Sequence, residues 1–124
     1  MRALMLALAL LAAPLAATEA VMAPISASEM AELQQQGLVL LDVRSSEEFA
    51  AGHIKGAINI PHDQLAERLA ELPKSEGLIL YCRSGRRAGL AAAVLQQAGF
   101  KELYELEGHL LQWQEEQRPL VTGP

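Results

Sequence analysis

The chain has 124 residues and a net charge of −5 at pH 7, and 51% of its residues are apolar. The first 20 residues hold 16 of the 63 apolar ones, which leaves 47 in the other 104, about 45% and ordinary for a globular domain. A body of this size buries one core, which excludes separate cofactor and substrate domains. The acidic balance also lacks the basic footprint of nucleic-acid binding.

The amino-terminal run has the layout of a secretory signal peptide. Arg2 precedes residues 3–17, which carry no polar side chain, and small residues follow up to position 23. The alternative is a membrane anchor, but this stretch contains Pro14 and is shorter than the roughly 18 to 20 residues of a spanning helix. The pattern predicts a signal peptide over residues 1–20, cleaved between 17 and 23, and a single domain over 21–124. We expect an exported protein without stable membrane insertion after cleavage, periplasmic where the source has two membranes and otherwise secreted.

Apolar runs and amphipathic segments alternate along the domain. Two capping boxes, Ser26 with Glu29 and Ser45 with Glu48, predict helix starts. The expected helices cover 27–36, a turn from 46 to about 52, 65–72, 87–98 and 109–117, and the expected strands cover 38–41, 57–60, 78–81 and 103–106. Such alternation with short connections predicts an α/β fold, an open parallel sheet with helices on both faces.

The single cysteine, Cys82, excludes an intramolecular disulfide and any multi-cysteine metal site. It stands between a predicted strand and a predicted helix, where ligands bind in open parallel sheets. Arg83, Arg86 and Arg87 place three cations within five positions of an acidic chain. Cations at a helix amino terminus oppose the helix dipole, so a bound anion explains this arrangement better than stability does.

The residues around Cys82 predict an activated nucleophile. Ser84 and Gly85 allow the backbone to curl so that its N–H groups form an anion nest. A thiolate beside cations at a helix amino terminus has a lowered pKa, whereas the alternative is an inert core cysteine next to a solvated basic loop. The candidate site therefore has Cys82 as the catalytic residue and the following substrate-binding residues: Arg83, Ser84, Gly85, Arg86 and Arg87.

In this order and spacing, the motifs resemble the single-domain rhodanese, or thiosulfate sulfurtransferase-like, family and its small periplasmic members. The resemblance covers nearly all of residues 21–124. It rests on the segments 40–44, 48–49, 52–54, 56–61, 81–85, 99–100, 106–113 and 118–120. The chain departs from the pattern at Lys55, where proline is frequent, and at Gly108-His109, which replaces a usual glycine pair.

The resemblance implies a reaction without a cofactor. Cys82 would attack the outer sulfur of thiosulfate, release sulfite and hold the sulfur as a persulfide, which a thiol or cyanide then removes. A protein sulfur acceptor is a further candidate partner. Arg83 would guide the substrate, and Arg87 would hold the shape and field of the loop.

Two other functions stay open. One is a persulfide carrier without turnover, or a rhodanese-like interaction or sensing module. The other, ranked lower, is a phosphatase or arsenate reductase, since related folds use a cysteine followed by five residues and an arginine. Here Arg87 is five positions after Cys82, and a shorter loop should favour a sulfur atom over a tetrahedral oxyanion.

The remaining polar residues predict structural roles. His53, His62 and His109 are far apart and lack metal-ligand spacing, so we expect ordinary hydrogen bonds or surface positions and no metal. No general base is expected close to the loop, and an ionised Cys82 requires none. Asp42 and Arg44 flank a strand end and predict a structural ion pair.

Overall fold

The computed structural model describes residues 22–124, so the predicted signal peptide lies outside the described residues. A parallel sheet of five strands, in the order β1-β5-β4-β2-β3, forms the centre of this part of the chain. The elements, in chain order, are β1 (Ala23–Ile25), α1 (Ala27–Gln35), β2 (Val39–Asp42), α2 (Ser46–Ala51), β3 (Ile58–Asn59), β4 (Leu78–Tyr81), α3 (Arg86–Gln97), β5 (Leu103–Leu106) and α4 (His109–Glu115).

Helices cover both faces of the sheet, as predicted. Strand β4 lies between β2 and β5 and is buried along its whole length, which explains its run of apolar residues without alternation. On one face Leu80 packs in a cluster with Leu95 of α3. On the other face Ile79 packs in a cluster with Met30 of α1 and Leu110 of α4. Within residues 22–124, none of the helices is both long and apolar enough to cross a bilayer.

Both predicted capping boxes are confirmed. The Ser26 hydroxyl accepts from the Glu29 amide at 3.1 Å, and the Glu29 carboxylate accepts from the Ser26 amide at 3.0 Å. Ser45 and Glu48 make the same exchange at the start of α2, at 3.2 and 3.4 Å. Each box satisfies amide donors that the first helical turn would leave unpaired.

The predicted helix over residues 65–72 is wrong. The segment forms two 3₁₀ turns, Leu65–Glu67 and Leu69–Glu71, and neither has a side-chain cap. Leu72 is extended, with φ −71° and ψ 129°, because a residue before proline is disfavoured in the helical region. Leu65 still anchors the segment in the α3 side of the core.

Strand β1 is an additional element that the sequence pattern did not predict. Its three residues pair in parallel with β5 at the edge of the sheet. An edge position tolerates Pro24, which has no amide hydrogen to donate. A strand of three residues is too short to show a hydrophobic pattern, and it is held in place by its pairing with β5.

Candidate functional site

The segment between β4 and α3 lies at the carboxyl edge of the sheet and carries Cys82. Cys82 follows Tyr81 directly and is 1% exposed. Helix α3 begins at Arg86, and its cap residue, Gly85, has a φ of 117°. This left-handed conformation is open to glycine and strained for other residues. Gly85 therefore allows the chain to turn from the strand into the helix directly around the sulfur.

Backbone N–H groups surround the Cys82 sulfur. The amides of Gly85 and Ala88 donate to Sγ at 3.0 and 3.4 Å. Burial raises the pKa of the Cys82 thiol, but the adjacent His109 side chain and the hydrogen bonds from these two amides lower it more, to about 7. Hydrogen bonds to the charged form of an acid favour that form. The thiol and the thiolate of Cys82 therefore coexist near neutral pH.

The arginines that follow Cys82 fall into two groups. Arg83 and Arg86 are exposed, and in the described part of the chain neither lies within ion-pair distance of a carboxylate. Arg87 is partly buried and makes two hydrogen bonds to the Glu48 carboxylate, at 2.6 and 3.0 Å. Ser84 is exposed beside Arg83. The uncompensated positive charge therefore lies at the surface of the loop, while the charge of Arg87 is matched.

The predicted ion pair of Asp42 and Arg44 is present at the carboxyl end of β2. The guanidinium meets the carboxylate at 2.6 Å, and both side chains are buried. Arg44 also donates to the Gly52 carbonyl at 2.7 Å, which fixes the end of α2. Because Asp42 ends β2, next to β4, the pair supports the sheet edge on which the site is built.

His109 lies beside the loop, so the expectation that no base is close to it is wrong. The Cys82 amide and His109 Nδ1 are 3.2 Å apart, and the Glu105 carboxylate lies 2.9 Å from Nε2. Helix α4 also contacts the loop through its backbone, because the Leu110 and Leu111 amides donate to the Cys82 and Arg83 carbonyls, each at 3.1 Å.

A signal for this contact exists in the sequence. The carboxyl ends of adjacent parallel strands meet at one edge of a sheet; Cys82 follows β4 directly, and His109 lies three residues after the end of β5. The departure from the glycine pair at Gly108-His109 lies at that edge. Adjacency of β4 and β5, combined with this departure, would have placed an imidazole at the loop.

The other two histidines make no hydrogen bond to the loop within residues 22–124. His53 is buried, its Nδ1 is 2.8 Å from the Phe49 carbonyl, and its ring stacks on that of Phe49. His62 is half-buried. Among residues 22–124, no group of three or more His, Cys, Asp or Glu side chains is arranged to hold a metal ion.

The sequence and the fold are similar to known proteins. YqhL of Bacillus subtilis, an uncharacterized protein, is 43% identical over 74 residues, and the match spans 60% of this chain and 59% of YqhL. Thiosulfate sulfurtransferase GlpE of Ectopseudomonas mendocina is 34% identical over 89 residues, 72% of this chain and 82% of GlpE. YrkF of Bacillus subtilis, named as a sulfur carrier, is 33% identical over 78 residues, 63% of this chain and 42% of YrkF.

Structural similarity leads to the same group of proteins. A rhodanese-related protein from Thermoplasma volcanium superposes with a TM-score of 0.68 at 31% identity, over 80% of this chain and 97% of that one. The sequence pattern of the rhodanese-like domain matches residues 26–116. This range contains every strand and helix described above except β1. The chain therefore belongs to the rhodanese-like domain family.

Proposed function

We propose that the protein is a sulfurtransferase that moves sulfane sulfur from thiosulfate, or a related anionic donor, through a Cys82 persulfide to cyanide or a thiol. The observation that carries this proposal is the placement of the sulfur. Cys82 receives hydrogen bonds from two backbone N–H groups at the start of α3, and the exposed Arg83 and Arg86 lie close to it in sequence. The similarity to a relative named thiosulfate sulfurtransferase supports the choice of donor.

The chemistry needs no cofactor and no external base. The Cys82 thiolate attacks the outer sulfur of thiosulfate and forms a new S–S bond. The bond between the two sulfurs of thiosulfate breaks, and its electron pair leaves with sulfite. An acceptor thiolate or cyanide then attacks the terminal sulfur of the persulfide and restores the Cys82 thiolate. The amides of Gly85 and Ala88 already point at the Cys82 sulfur, which is negatively charged before and after the transfer. Donors that are held in place in this way stabilise charge during a reaction.

The arginines take different roles in this proposal. Arg83 and Arg86 attract the anionic donor, because both are exposed and lack a carboxylate partner in the described part of the chain. Arg87 holds the loop through Glu48 instead. Attraction between exposed charges is screened by salt, so sulfur loading of Arg83→Ala and Arg86→Ala should be slower than that of the wild type at low ionic strength and approach it at high ionic strength.

The direct test is intact-mass measurement of the purified protein after incubation with thiosulfate. We expect a gain of one sulfur atom in the wild type and none in Cys82→Ser, and the gain should disappear when cyanide is added. Turnover of thiosulfate and cyanide by Cys82→Ser would overturn the mechanism. Hydrolysis of an aryl phosphate by the wild type, without sulfur loading, would favour the phosphatase function instead.

A sulfur carrier is the second candidate, and the similarity to YrkF favours it. Carrier and enzyme share the loading step and differ in release. An enzyme turns over many times with cyanide or a small thiol, whereas a carrier is loaded once and keeps its sulfur until a protein acceptor is present. Steady-state turnover with cyanide, with a small thiol and with a protein thiol separates the two. An interaction or sensing module would show no acceptor-dependent release.

We propose in addition that the chain is exported. The support is the uncharged run over residues 3–17 after Arg2, which is typical of a signal peptide. Expression of the full chain in a bacterium with two membranes, followed by mass measurement of the periplasmic fraction, tests this. We expect a mature chain that starts between residues 17 and 23, whereas an uncut chain in the cytoplasm would contradict export.

A further inference from the structure

The side chain of His109 and the backbone of Leu110 each hydrogen-bond to the backbone of Cys82. The Cys82 amide donates to His109 Nδ1 at 3.2 Å, and the Cys82 carbonyl accepts from the Leu110 amide at 3.1 Å. Cys82 is 1% exposed, so its amide depends on a protein acceptor, because a buried amide without a partner is costly. The imidazole supplies that acceptor from a residue 27 positions along the chain.

The two contacts of the imidazole define its tautomer. A ring nitrogen that accepts a hydrogen bond carries no proton, so the proton of the neutral ring is on Nε2. Nε2 in turn donates to Glu105 Oε1 at 2.9 Å. His109 is only 5% exposed, and the carboxylate of Glu105 on β5 orients its ring. The chain of contacts therefore runs from Glu105 through His109 to the backbone of Cys82.

The backbone of His109 is unusual in a way that fits this role. Its φ is 52°, a left-handed conformation that is uncommon for residues other than glycine. A Cβ added to Gly85 would lie 3.1 Å from His109 Nε2, so the ring packs closely against the loop. Strained residues that are held by their surroundings are concentrated at functional sites. The strain here brings the ring to the amide of the reactive cysteine.

We propose that His109, oriented by Glu105, is a positioning residue for Cys82 and holds its backbone amide through the unprotonated Nδ1. The proposal rests on the proposed function, because it takes Cys82 as the reacting residue. It concerns the place where the sequence departs from the glycine pair usual in the family. A glycine at position 109 would supply no acceptor for the Cys82 amide, whereas the histidine supplies Nδ1.

Because the Cys82 amide is held by a nitrogen that can be protonated, His109 Nδ1, the contact is also sensitive to pH. Protonation of Nδ1 would set two N–H donors against each other and break the bond to the Cys82 amide. Burial lowers the pKa of His109, but the Cys82 side chain and the Glu105 carboxylate raise it above its usual range, so the amide contact is lost at a higher pH than that at which an ordinary imidazole is protonated. Cys82 faces the ring from the position after β4 and Glu105 faces it from β5. Glu107, Glu116 and Arg118 line a small cavity that the ring shares.

Two substitutions separate the acceptor from the rest of the side chain. His109→Gly removes the acceptor but suits the left-handed backbone, so the variant should fold. His109→Asn also tolerates this conformation, and its amide oxygen can take the place of Nδ1 but does not titrate. The three proteins are compared by the rate of sulfur loading from thiosulfate, followed by intact mass between about pH 5 and pH 9. The alkylation rate of the single cysteine by iodoacetamide is measured over the same range, and circular dichroism checks folding.

We expect His109→Gly to load sulfur at least ~10-fold more slowly than the wild type at about pH 8, since small misplacements of a reacting group are costly. His109→Asn should stay within about threefold of the wild type there, since it restores the acceptor. On the acid side the rate should fall more steeply in the wild type than in His109→Asn, because only the wild type loses its acceptor by protonation. Alkylation should follow the same order of the three proteins.

Two results would overturn the proposal. One is a His109→Gly variant that loads and alkylates within about twofold of the wild type at every pH, well below the loss expected from misplacement. The other is a His109→Asn variant as slow as His109→Gly, which would show that the acceptor does not matter. If thiosulfate loads none of the three proteins, the donor in the proposed function is wrong, and the alkylation rates still decide the role of His109. Glu107→Gln, at an exposed residue two positions after Glu105, serves as the control for loss of a nearby charge.

Discussion

Arg87 and Glu48 join α3 to α2 through a two-pronged ion pair, with Nη1 to Oε1 at 2.6 Å and Nη2 to Oε2 at 3.0 Å. Glu48 also closes the capping box with Ser45. A paired guanidinium and carboxylate in this geometry is the stronger type of charged hydrogen bond. The contact therefore ties the last arginine of the basic loop to the helix that follows β2.

The first prediction concerns this pair. Hydrogen bonding to Arg87 lowers the pKa of Glu48 from 4.5 to about 2, although burial opposes the shift. A carboxylate with a lowered pKa in the folded state stabilises the protein above its unfolded pKa, and this contribution is lost as the pH falls from about 4.5 to about 2. The pair is partly exposed, so Glu48→Gln should lower the free energy of unfolding by only about 1 kcal/mol at neutral pH. Urea unfolding of both proteins at neutral pH and near pH 2 tests this, and a difference that stays constant over this range would contradict it.

Gly85 and Gly89 form a matched pair for the second prediction. An alanine at position 85 meets a φ of 117° and a close contact with the His109 ring. Gly85→Ala should destabilise the fold by about 1–2 kcal/mol and slow sulfur loading, because the amide that donates to the sulfur is displaced. In Gly89→Ala the added Cβ meets nothing within 4 Å, and the helix should gain up to ~1 kcal/mol. Urea unfolding should therefore show a lower stability for Gly85→Ala and an equal or higher one for Gly89→Ala, and only Gly85→Ala should load sulfur more slowly.

The third prediction contrasts a buried ion pair with an exposed one. Asp42→Asn leaves the Arg44 guanidinium buried without a carboxylate, which should cost about 3 kcal/mol of stability. Glu71→Gln breaks the exposed pair with Arg68 and should cause no measurable change. Thermal unfolding of the two variants gives the comparison. Equal losses of stability in the two variants would show that burial does not determine how much the Asp42 and Arg44 pair contributes to stability.

The fourth prediction concerns the charge of Cys82. Its pKa is lowered from 9.0 to about 7: burial raises it, and His109, Ala88 and Gly85 lower it more. The rate of alkylation by iodoacetamide should therefore rise with pH around a midpoint near 7. A midpoint near the ordinary thiol value of about 8.5 would mean that the loop does not stabilise the thiolate.

Stability provides an independent check of the same pKa. A thiol whose pKa is lowered in the folded state stabilises the protein above its unfolded pKa, and this contribution is lost as the pH falls through about 7. Between about pH 6.5 and pH 9.5, the wild type should gain about 2 kcal/mol relative to Cys82→Ser. The comparison uses the change with pH in urea unfolding, so any constant effect of the substitution cancels.

Local signals in the sequence were sufficient for most of the fold. The capping pairs at Ser26 and Ser45 mark helix starts because the groups that satisfy each other lie three residues apart. The run of residues 78–81 predicts a central strand because both of its faces are covered. The position of Cys82 between that strand and α3 follows from the same local pattern, and so does the start of α3 next to Gly85.

Other features depend on neighbours that are distant in sequence. Strand β1 exists because β5 offers an edge, which a three-residue segment does not reveal. The helical spacing of Leu65, Leu69 and Leu72 correctly indicates burial, but the segment forms two 3₁₀ turns and is extended at Leu72, before Pro73. His109 reaches Cys82 only because β4 and β5 are adjacent, so the contact requires the strand order. The pairing of Glu48 with Arg87 likewise crosses from α2 to α3.

The near-complete burial of Cys82 limits the size of the molecules that can reach its sulfur. A disulfide brings the Cβ atoms of two cysteines to within about 3.5–4.5 Å, and a folded protein of ordinary surface shape cannot bring its own cysteine that close to a residue that is 1% exposed. A small anion or the tip of a narrow, extended segment faces no such limit. In aerated solution the chain should therefore stay free of disulfide-linked dimers, although the pKa of its one thiol is lowered.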